Sequence, residues 1–164
     1  MVKIEIIKED DLSGDYCNIY SLKIDDDQDT LFEKFLDTNY DKFENEVNDI
    51  YGRLSVIGSE LGLREGFYKP FEGKPGDGIC ALYDEQESKL RLYFIQYGRN
   101  LIILGDGGEK PKDIRAWEGN TNLASKVNQL HEISEIITQA IKDRDIKITN
   151  NGFEGNLTIT PEEY

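Results

Sequence analysis

Apolar and polar residues alternate with a period of two in several short runs of the chain, which is typical of half-buried β-strands. The runs VKIEII (residues 2–7) and NIYSLKI (18–24) predict two strands near the N-terminus. Three further runs are joined by short connections: ICALY (79–83), KLRLYFIQY (89–97) and LIILG (101–105). Their order predicts an antiparallel meander. The tetrad LIIL lacks alternation, which predicts a central strand buried on both faces. Two edge strands are predicted at 146–148 and 156–160.

Helical spacing of apolar residues marks three other segments. The first segment is DDDQDTLFEKFLDTNY (25–40), in which Thr30 and Glu33 form the capping-box pattern that starts a helix. Residues 43–61 carry apolar side chains at alternating steps of four and three, which predicts a helix with a core-facing stripe. With residues 39–41 as their connection, these two segments resemble a helical hairpin. A third amphipathic helix is predicted over residues 121–143.

The order of these elements predicts an α+β fold, because strands and helices segregate along the chain. We expect an N-terminal helical hairpin packed on an antiparallel β-meander, with a C-terminal helix, and with the helices on one face of the sheet. No repeat or linker divides the chain, and 164 residues suit one domain. Residues 1–164 are therefore predicted to form a single domain.

Charge is distributed unevenly along the chain. The net charge is −14, from 33 acidic and 19 basic residues. Residues 1–50 alone carry 15 acidic and 5 basic side chains, whereas residues 89–117 carry 6 basic and 3 acidic ones. A field of this sign repels nucleic acid at long range, although a local basic patch can still contact phosphate. DNA binding by the protein alone is not expected.

No run of the sequence approaches the roughly 18 apolar residues needed to span a bilayer. The N-terminal residues also lack the apolar centre of a signal peptide. Cys17 and Cys80 lie in different segments without a CxxC motif, which favours two free thiols in a reducing compartment. These features predict a cytoplasmic protein that does not associate with membranes.

Two features that suggest a cofactor or metal lack the rest of the required pattern. The turn GDGGEK (105–110) contains neither the P-loop nor the dinucleotide-binding arrangement of glycines. Gly107 and Gly108 are instead predicted to supply positive φ angles where a strand ends. His131 is the only histidine, which excludes a His-rich metal site. His131 is predicted to lie at the core boundary of its helix, and no metal or organic cofactor is expected.

The strand 89–97 carries the most informative pattern. Alternation places Leu90, Leu92 and Phe94 on one face, which is predicted to join the core. The opposite face presents a guanidinium among aromatic rings: Arg91, Tyr93, Ile95 and Tyr97. Arginine matches phosphate geometry bidentately, and tyrosine can stack on an unpaired base. This face predicts a site for single-stranded RNA, unless a helix covers it or it is merely solvated.

From about residue 79 to residue 115 the sequence resembles the sheet of the RelE/HigB superfamily of bacterial toxin–antitoxin toxins. Arg91 matches the strand arginine of that pattern, LIILG matches the following hydrophobic strand, and Lys110 with Lys112 matches the lysine element. LIIL itself offers no arginine, and Arg99 in the preceding turn is the substitute. The resemblance implies a ribosome-dependent mRNA endonuclease without metal, which a helix-turn-helix antitoxin neutralises.

The resemblance also implies roles for individual residues. Arg91 is the predicted catalytic residue that stabilises the scissile phosphate, and Tyr93 or Tyr97 is predicted to position the nucleotide. The residues predicted to hold flanking phosphates of the RNA are Lys110, Lys112 and Arg99.

Two other functions remain open at this point. The first is a catalytically inactive scaffold of the same fold, which acts as an acidic protein-interaction module through its helical half. The second is a regulator that binds a small ligand through the Gly- and Pro-rich loop at residues 64–78.

Overall fold

A seven-stranded sheet lies at the centre of the computed structural model, which describes residues 3–113, 115 and 119–161. Its strands follow the order β3-β4-β5-β6-β2-β1-β9, and β7 and β8 form a separate hairpin. The strand bounds are β1 Ile4–Lys8, β2 Asn18–Ile24, β3 Tyr68–Lys69, β4 Ile79–Leu82, β5 Leu90–Gln96, β6 Leu101–Glu109, β7 Ile146–Thr149, β8 Gly152–Gly155 and β9 Thr158–Ile159.

The predicted meander is confirmed, because β4, β5 and β6 are antiparallel neighbours in chain order. The sheet is nevertheless mixed, since β2 runs parallel to β6 and pairs Asn18 with Leu101. Alternation along one strand says nothing about which strand will be its neighbour, so this pairing could not be predicted. Val2 of the first predicted strand, and residue 114 of the 79–115 segment that resembles the toxin superfamily, lie outside the described residues.

Helices occupy the predicted segments, at α1 Leu31–Tyr40, α2 Glu44–Val56 and α3 Thr121–Lys142. The predicted capping box is present, because the Thr30 hydroxyl accepts from the Glu33 amide at 3.1 Å and the Glu33 carboxylate accepts from the Thr30 amide at 3.1 Å. One π-helical turn, Ile57–Leu61, continues α2. Within the described part of the chain, no helix is both long and apolar enough to cross a membrane.

The prediction that all helices pack on one face of the sheet is wrong. The side chains of α1 and α2 cover the face that carries Leu92 and Phe94, whereas α3 covers the opposite face, with Tyr93 and Ile95. The fold is still α+β, but the sheet is enclosed between two helical layers. The reason lies in β5 itself, whose residues from Leu92 to Ile95 are buried on both sides. A strand with apolar side chains on both faces requires cover on both.

The prediction that Gly107 and Gly108 supply positive φ at the end of a strand is also wrong. Neither glycine has a positive φ angle, and β6 continues through both of them to Glu109. Gly107 is needed for a different reason, which is the close approach of β5. A Cβ atom added there would lie 1.9 Å from the carbonyl oxygen of Arg91. Gly107 thus allows β6 to approach the first residues of β5 closely.

We expect Gly107→Ala to lower the free energy of unfolding by about 1–3 kcal/mol, the usual cost of forcing an extra methyl into a packed site. The atoms that the methyl would meet belong to the backbone, which cannot rotate away. Gly52→Ala is the matched control, because it lies in α2 with nothing within 4 Å of the added Cβ. The free energy of unfolding of the control should rise by about 0.5–1 kcal/mol, because alanine has a higher helix propensity than glycine. Urea unfolding measures both, and an equal effect of the two substitutions would contradict the close approach.

Candidate cation pocket at the end of the sheet

An open cavity of about 520 Å³ lies where β4 ends, β5 begins and β6 ends. Four basic side chains from three segments line it. We call it the cation pocket, after the cationic side chains that line it. Its defining residues are Lys69, Tyr83, Asp84, Arg91, Lys110 and Lys112. Arg91 faces Gly108 across the β5–β6 pair, and the amide of Lys110 donates to the carbonyl of Lys89 at 2.7 Å. Strand register therefore brings Lys110 beside Arg91.

Asp84 is the carboxylate around which the cations of the pocket are arranged. Its side chain is only 4% exposed. The Nε of Arg91 donates to Oδ2 of Asp84 at 2.9 Å, and Nη2 of Arg91 donates to Oδ1 at 3.3 Å. Lys69 donates to Oδ1 as well, and the Nζ of Lys110 lies 3.6 Å from Oδ2. One buried carboxylate thus holds three cations in fixed positions.

These contacts change the acidity of Asp84. Burial alone would raise its pKa, but hydrogen bonds from Arg91 and Lys69 and the nearby charge of Lys110 outweigh burial. The pKa of Asp84 therefore lies below its ordinary value of 3.8. Asp84 remains ionised at neutral pH, as the three cations around it require.

The pocket keeps a small positive balance within a strongly acidic protein. Its lining contains four basic residues, against the acidic residues Asp84, Glu85 and Asp113. The ammonium of Lys110 is mostly buried and donates to the carbonyl of Glu85 at 2.8 Å, whereas Lys112 is exposed. A net charge of −14 overall makes this local balance of +1 unusual for the molecule. Electrostatically, the pocket is suited to an anion.

Tyr93 lies next to Arg91 but is not available for stacking. Only 3% of its surface is exposed, because α3 covers this part of the sheet. Burial raises the pKa of the Tyr93 hydroxyl, and the charge of Arg91 and a hydrogen bond with it offset part of that rise. The buried Tyr93 hydroxyl therefore contacts the guanidinium of Arg91. The exposed tyrosine of the pocket is Tyr83, at 45%.

Tyr97 and Arg99 lie at the other end of β5, separated from the cation pocket. At about 3.3 Å per residue, the length of β5 alone puts Arg99 roughly 20 Å from Arg91. Tyr97 packs edge-on against Phe153 with ring centroids 5.2 Å apart, and burial raises its pKa. Arg99 is exposed in the turn between β5 and β6. Of the six predicted site residues, the structure brings together Arg91, Lys110 and Lys112 in the cation pocket, with Tyr93 buried next to Arg91.

Sequence reasoning did not predict the other three residues of the cation pocket, Lys69, Tyr83 and Asp84. Asp84 lies in the segment YDEQES, which only suggested a hairpin turn, and Lys69 lies in the long loop before β4. A basic strand residue with an acidic residue seven positions earlier is a weak pattern on its own. Only the pairing of β3 with β4 and of β4 with β5 brings Lys69 and Asp84 to Arg91.

His131 lies on α3 at a separate site and is engaged on both ring nitrogens. Its Nδ1 is 2.9 Å from Oδ2 of Asp77, and its Nε2 is 3.1 Å from a carboxylate oxygen of Glu135. The hydroxyl of Ser134 donates to the carbonyl of Asp77 at 2.7 Å and so is directed away from the ring. The predicted boundary position is confirmed, and the contacts fasten the 64–78 loop to α3.

Among residues 3–113, 115 and 119–161, no group of His, Cys, Asp and Glu could hold a metal ion.

Comparisons of the chain with known protein families, with curated proteins and with solved structures give no significant match.

We expect Asp84→Asn to lower the free energy of unfolding at pH 7 by about 2 kcal/mol, because hydrogen bonds to a charged group are lost while three cations remain. The pKa of Asp84 is lower in the folded state than in the unfolded state. Its contribution to the free energy of unfolding is therefore complete above the ordinary carboxyl pKa and is lost as the pH falls through the folded-state value. In urea unfolding, the difference between the wild type and the variant should therefore stay constant from pH 7 down to about pH 5 and shrink as the pH falls below the ordinary carboxyl pKa of 3.8.

Asp49→Asn is the matched control for this experiment. Asp49 is 64% exposed and pairs with Arg53 one helical turn away, an arrangement worth only about 0.3–0.5 kcal/mol. A loss in Asp84→Asn no larger than that of the control, or one that stays constant with pH, would show that Asp84 does not hold the cations in place.

Proposed function

We propose that this protein is a toxin-like endoribonuclease of the RelE/HigB kind, and that the cation pocket is its RNA site. The observation that carries the proposal is the convergence of Lys69, Arg91, Lys110 and Lys112 on one open cavity in a chain of net charge −14. Arg91 and the two lysines after β6 are the residues on which the sequence resemblance rests. Their meeting in one cavity supports that reading.

Cleavage in this proposal follows the metal-independent route open to RNA. The 2′-oxygen loses its proton to solvent and attacks the adjacent phosphorus, and the bond to the 5′-oxygen breaks as that oxygen takes up a proton. The product ends are a 2′,3′-cyclic phosphate and a 5′-hydroxyl. Negative charge builds up on the non-bridging oxygens during the attack, where Arg91 and Lys110 stabilise it. Lys112, which is exposed, is placed to hold a neighbouring phosphate.

Asp84 has a definite part in this mechanism. It holds the guanidinium of Arg91 bidentately, which fixes the orientation of that group before RNA arrives. Groups that are oriented in advance need no reorganisation when charge develops in the transition state. In this proposal Asp84 is therefore a positioning residue, while Arg91 and Lys110 touch the substrate.

The overall charge restricts how RNA reaches the pocket. A field of −14 slows the approach of a free polyanion, so binding to isolated RNA should be weak and should depend steeply on salt. In the same proposal the protein acts in the cytoplasm, and a helix-turn-helix antitoxin encoded beside it neutralises it by covering the cation pocket.

One observation favours a second function, the catalytically inactive scaffold. Three of the four cations of the pocket already contact Asp84, so the site is partly neutralised from within. Exposed acidic residues lie on or next to α1 and α2, namely Asp37, Asp41, Glu44 and Asp49, and we call this surface the acidic face. Under this alternative the acidic face binds a basic partner protein and the cation pocket only stabilises the fold.

Expression of the chain alone in a bacterium distinguishes these two functions. We expect growth arrest with cleaved transcripts for the wild type, and normal growth with intact transcripts for Arg91→Ala. Arg99→Ala is the matched control, since it removes an arginine from the turn at the far end of β5 and should leave the arrest unchanged. Transcript ends should carry the cyclic phosphate and the 5′-hydroxyl.

A second variant keeps the test decisive if Arg91→Ala fails to fold. Lys112→Glu changes an exposed residue and should reduce cleavage at least tenfold while the protein remains soluble. Normal growth and intact mRNA with soluble wild-type protein would overturn the nuclease proposal and leave the acidic scaffold as the better account.

A further inference from the structure

A second cavity, small and apolar, lies beside the cation pocket. Its volume is about 180 Å³, and it is lined by Arg53, Val56, Ile57, Gly66, Phe67, Leu82 and Tyr83, which we call the apolar pocket. The end of α2 forms one wall and the end of β4 forms another. Ile57 and Leu82 are 2% and 3% exposed, so the floor belongs to the core, while Tyr83 stands open at the rim.

Tyr83 joins the two cavities, because it lines both of them. The ammonium of Lys69 lies 5.6 Å from the centre of the Tyr83 ring and also donates to Asp84. The residue that holds a cation of one pocket is therefore next to the aromatic wall of the other. A ligand with an anionic part and a flat apolar part could contact both at once.

We propose that the apolar pocket receives one nucleobase of a single-stranded RNA whose phosphate occupies the cation pocket. This inference rests on the proposed function and names the part of the substrate that the second cavity recognises. The base stacks on Tyr83, and its face is held among the apolar side chains of Val56 and Phe67. Recognition of RNA by stacking of unpaired bases on aromatic side chains is the general mode for single strands.

The size and the lining of the pocket fit a base better than a whole nucleotide. Pockets for drug-sized ligands measure roughly 300–1,000 Å³, so 180 Å³ suits one flat ring system. Among the seven described residues that line the apolar pocket, Arg53 alone is charged, and it is held at the rim by Asp49 and by the carbonyl of Tyr83. At the rim, the guanidinium of Arg53 can donate hydrogen bonds to the polar edge of a base. Its charge therefore does not imply that a second phosphate binds there.

The test uses the full-length protein and two sets of probes at low salt. The first set is a short single-stranded oligoribonucleotide and versions of it that lack one base at each position in turn, so that every phosphate is kept. We expect one missing base to weaken binding by about fivefold to 150-fold, the range for one stacked base. This loss should disappear in Tyr83→Ala and persist in Tyr83→Phe, which keeps the ring.

The second set of probes is the four uncharged nucleosides, which do not depend on the cation pocket. We expect a nucleoside to shift the methyl resonances of Val56, Ile57 and Leu82, and Val56→Phe, which fills the cavity, to abolish these shifts. N-acetyl-phenylalaninamide serves as the comparison for a protein side chain.

The outcomes separate the two proposals. Salt-dependent binding of the oligonucleotide with no Tyr83-dependent loss at any missing base would overturn the base site while the proposed function stands. Nucleoside shifts in the absence of RNA cleavage in cells would support the base site and count against the nuclease. The base site would be overturned, whatever the RNA results, if only N-acetyl-phenylalaninamide shifts these methyl resonances. It would also be overturned if no probe shifts them.

Discussion

The pairing of β5 with β6 is the constraint on which the rest of the structure depends. These two strands lie in the interior of the sheet and are covered on both faces, so side chains along their middle must be apolar. Charged residues lie towards the ends of these strands or, like Asp106, pair with a residue of the covering helix, Lys126. Arg91 and Lys110 lie at one such end, and Gly107 lets the two strands approach closely enough to bring them together. The position of the cation pocket is thus a consequence of how the sheet is covered.

Periodicity predicted the elements of this fold well but not their arrangement. Alternation in β5 correctly put Leu92 and Phe94 in the core, because a period of two identifies the faces of a strand. It did not reveal that the other face, with Tyr93, would also be buried, since that depends on where α3 packs. Local sequence likewise could not indicate that β2 lies parallel to β6, because the two strands are far apart in the chain.

The same limits apply to the candidate site. Arg91, Lys110 and Lys112 could be grouped from sequence because the turn between two neighbouring strands fixes their register. Tyr97 shares a face with Arg91, but face alone does not give proximity, and the length of β5 separates them. Asp84 could not be recognised, because its partners come from three segments that meet only in the folded chain. A buried counter-ion of this kind is visible in tertiary structure and hardly at all in sequence.

The two outermost strands of the main sheet, β3 and β9, are each only two residues long. A sheet edge exposes unpaired amide and carbonyl groups that can recruit a strand from another molecule, and short edge strands limit that recruitment. β3 also ends in Lys69, whose charge is directed to the sheet end. Mutual repulsion between molecules of net charge −14 acts in the same direction. The fold is therefore well protected against self-association into fibrils, even though its middle strands are rich in the β-branched and aromatic residues that such assemblies favour.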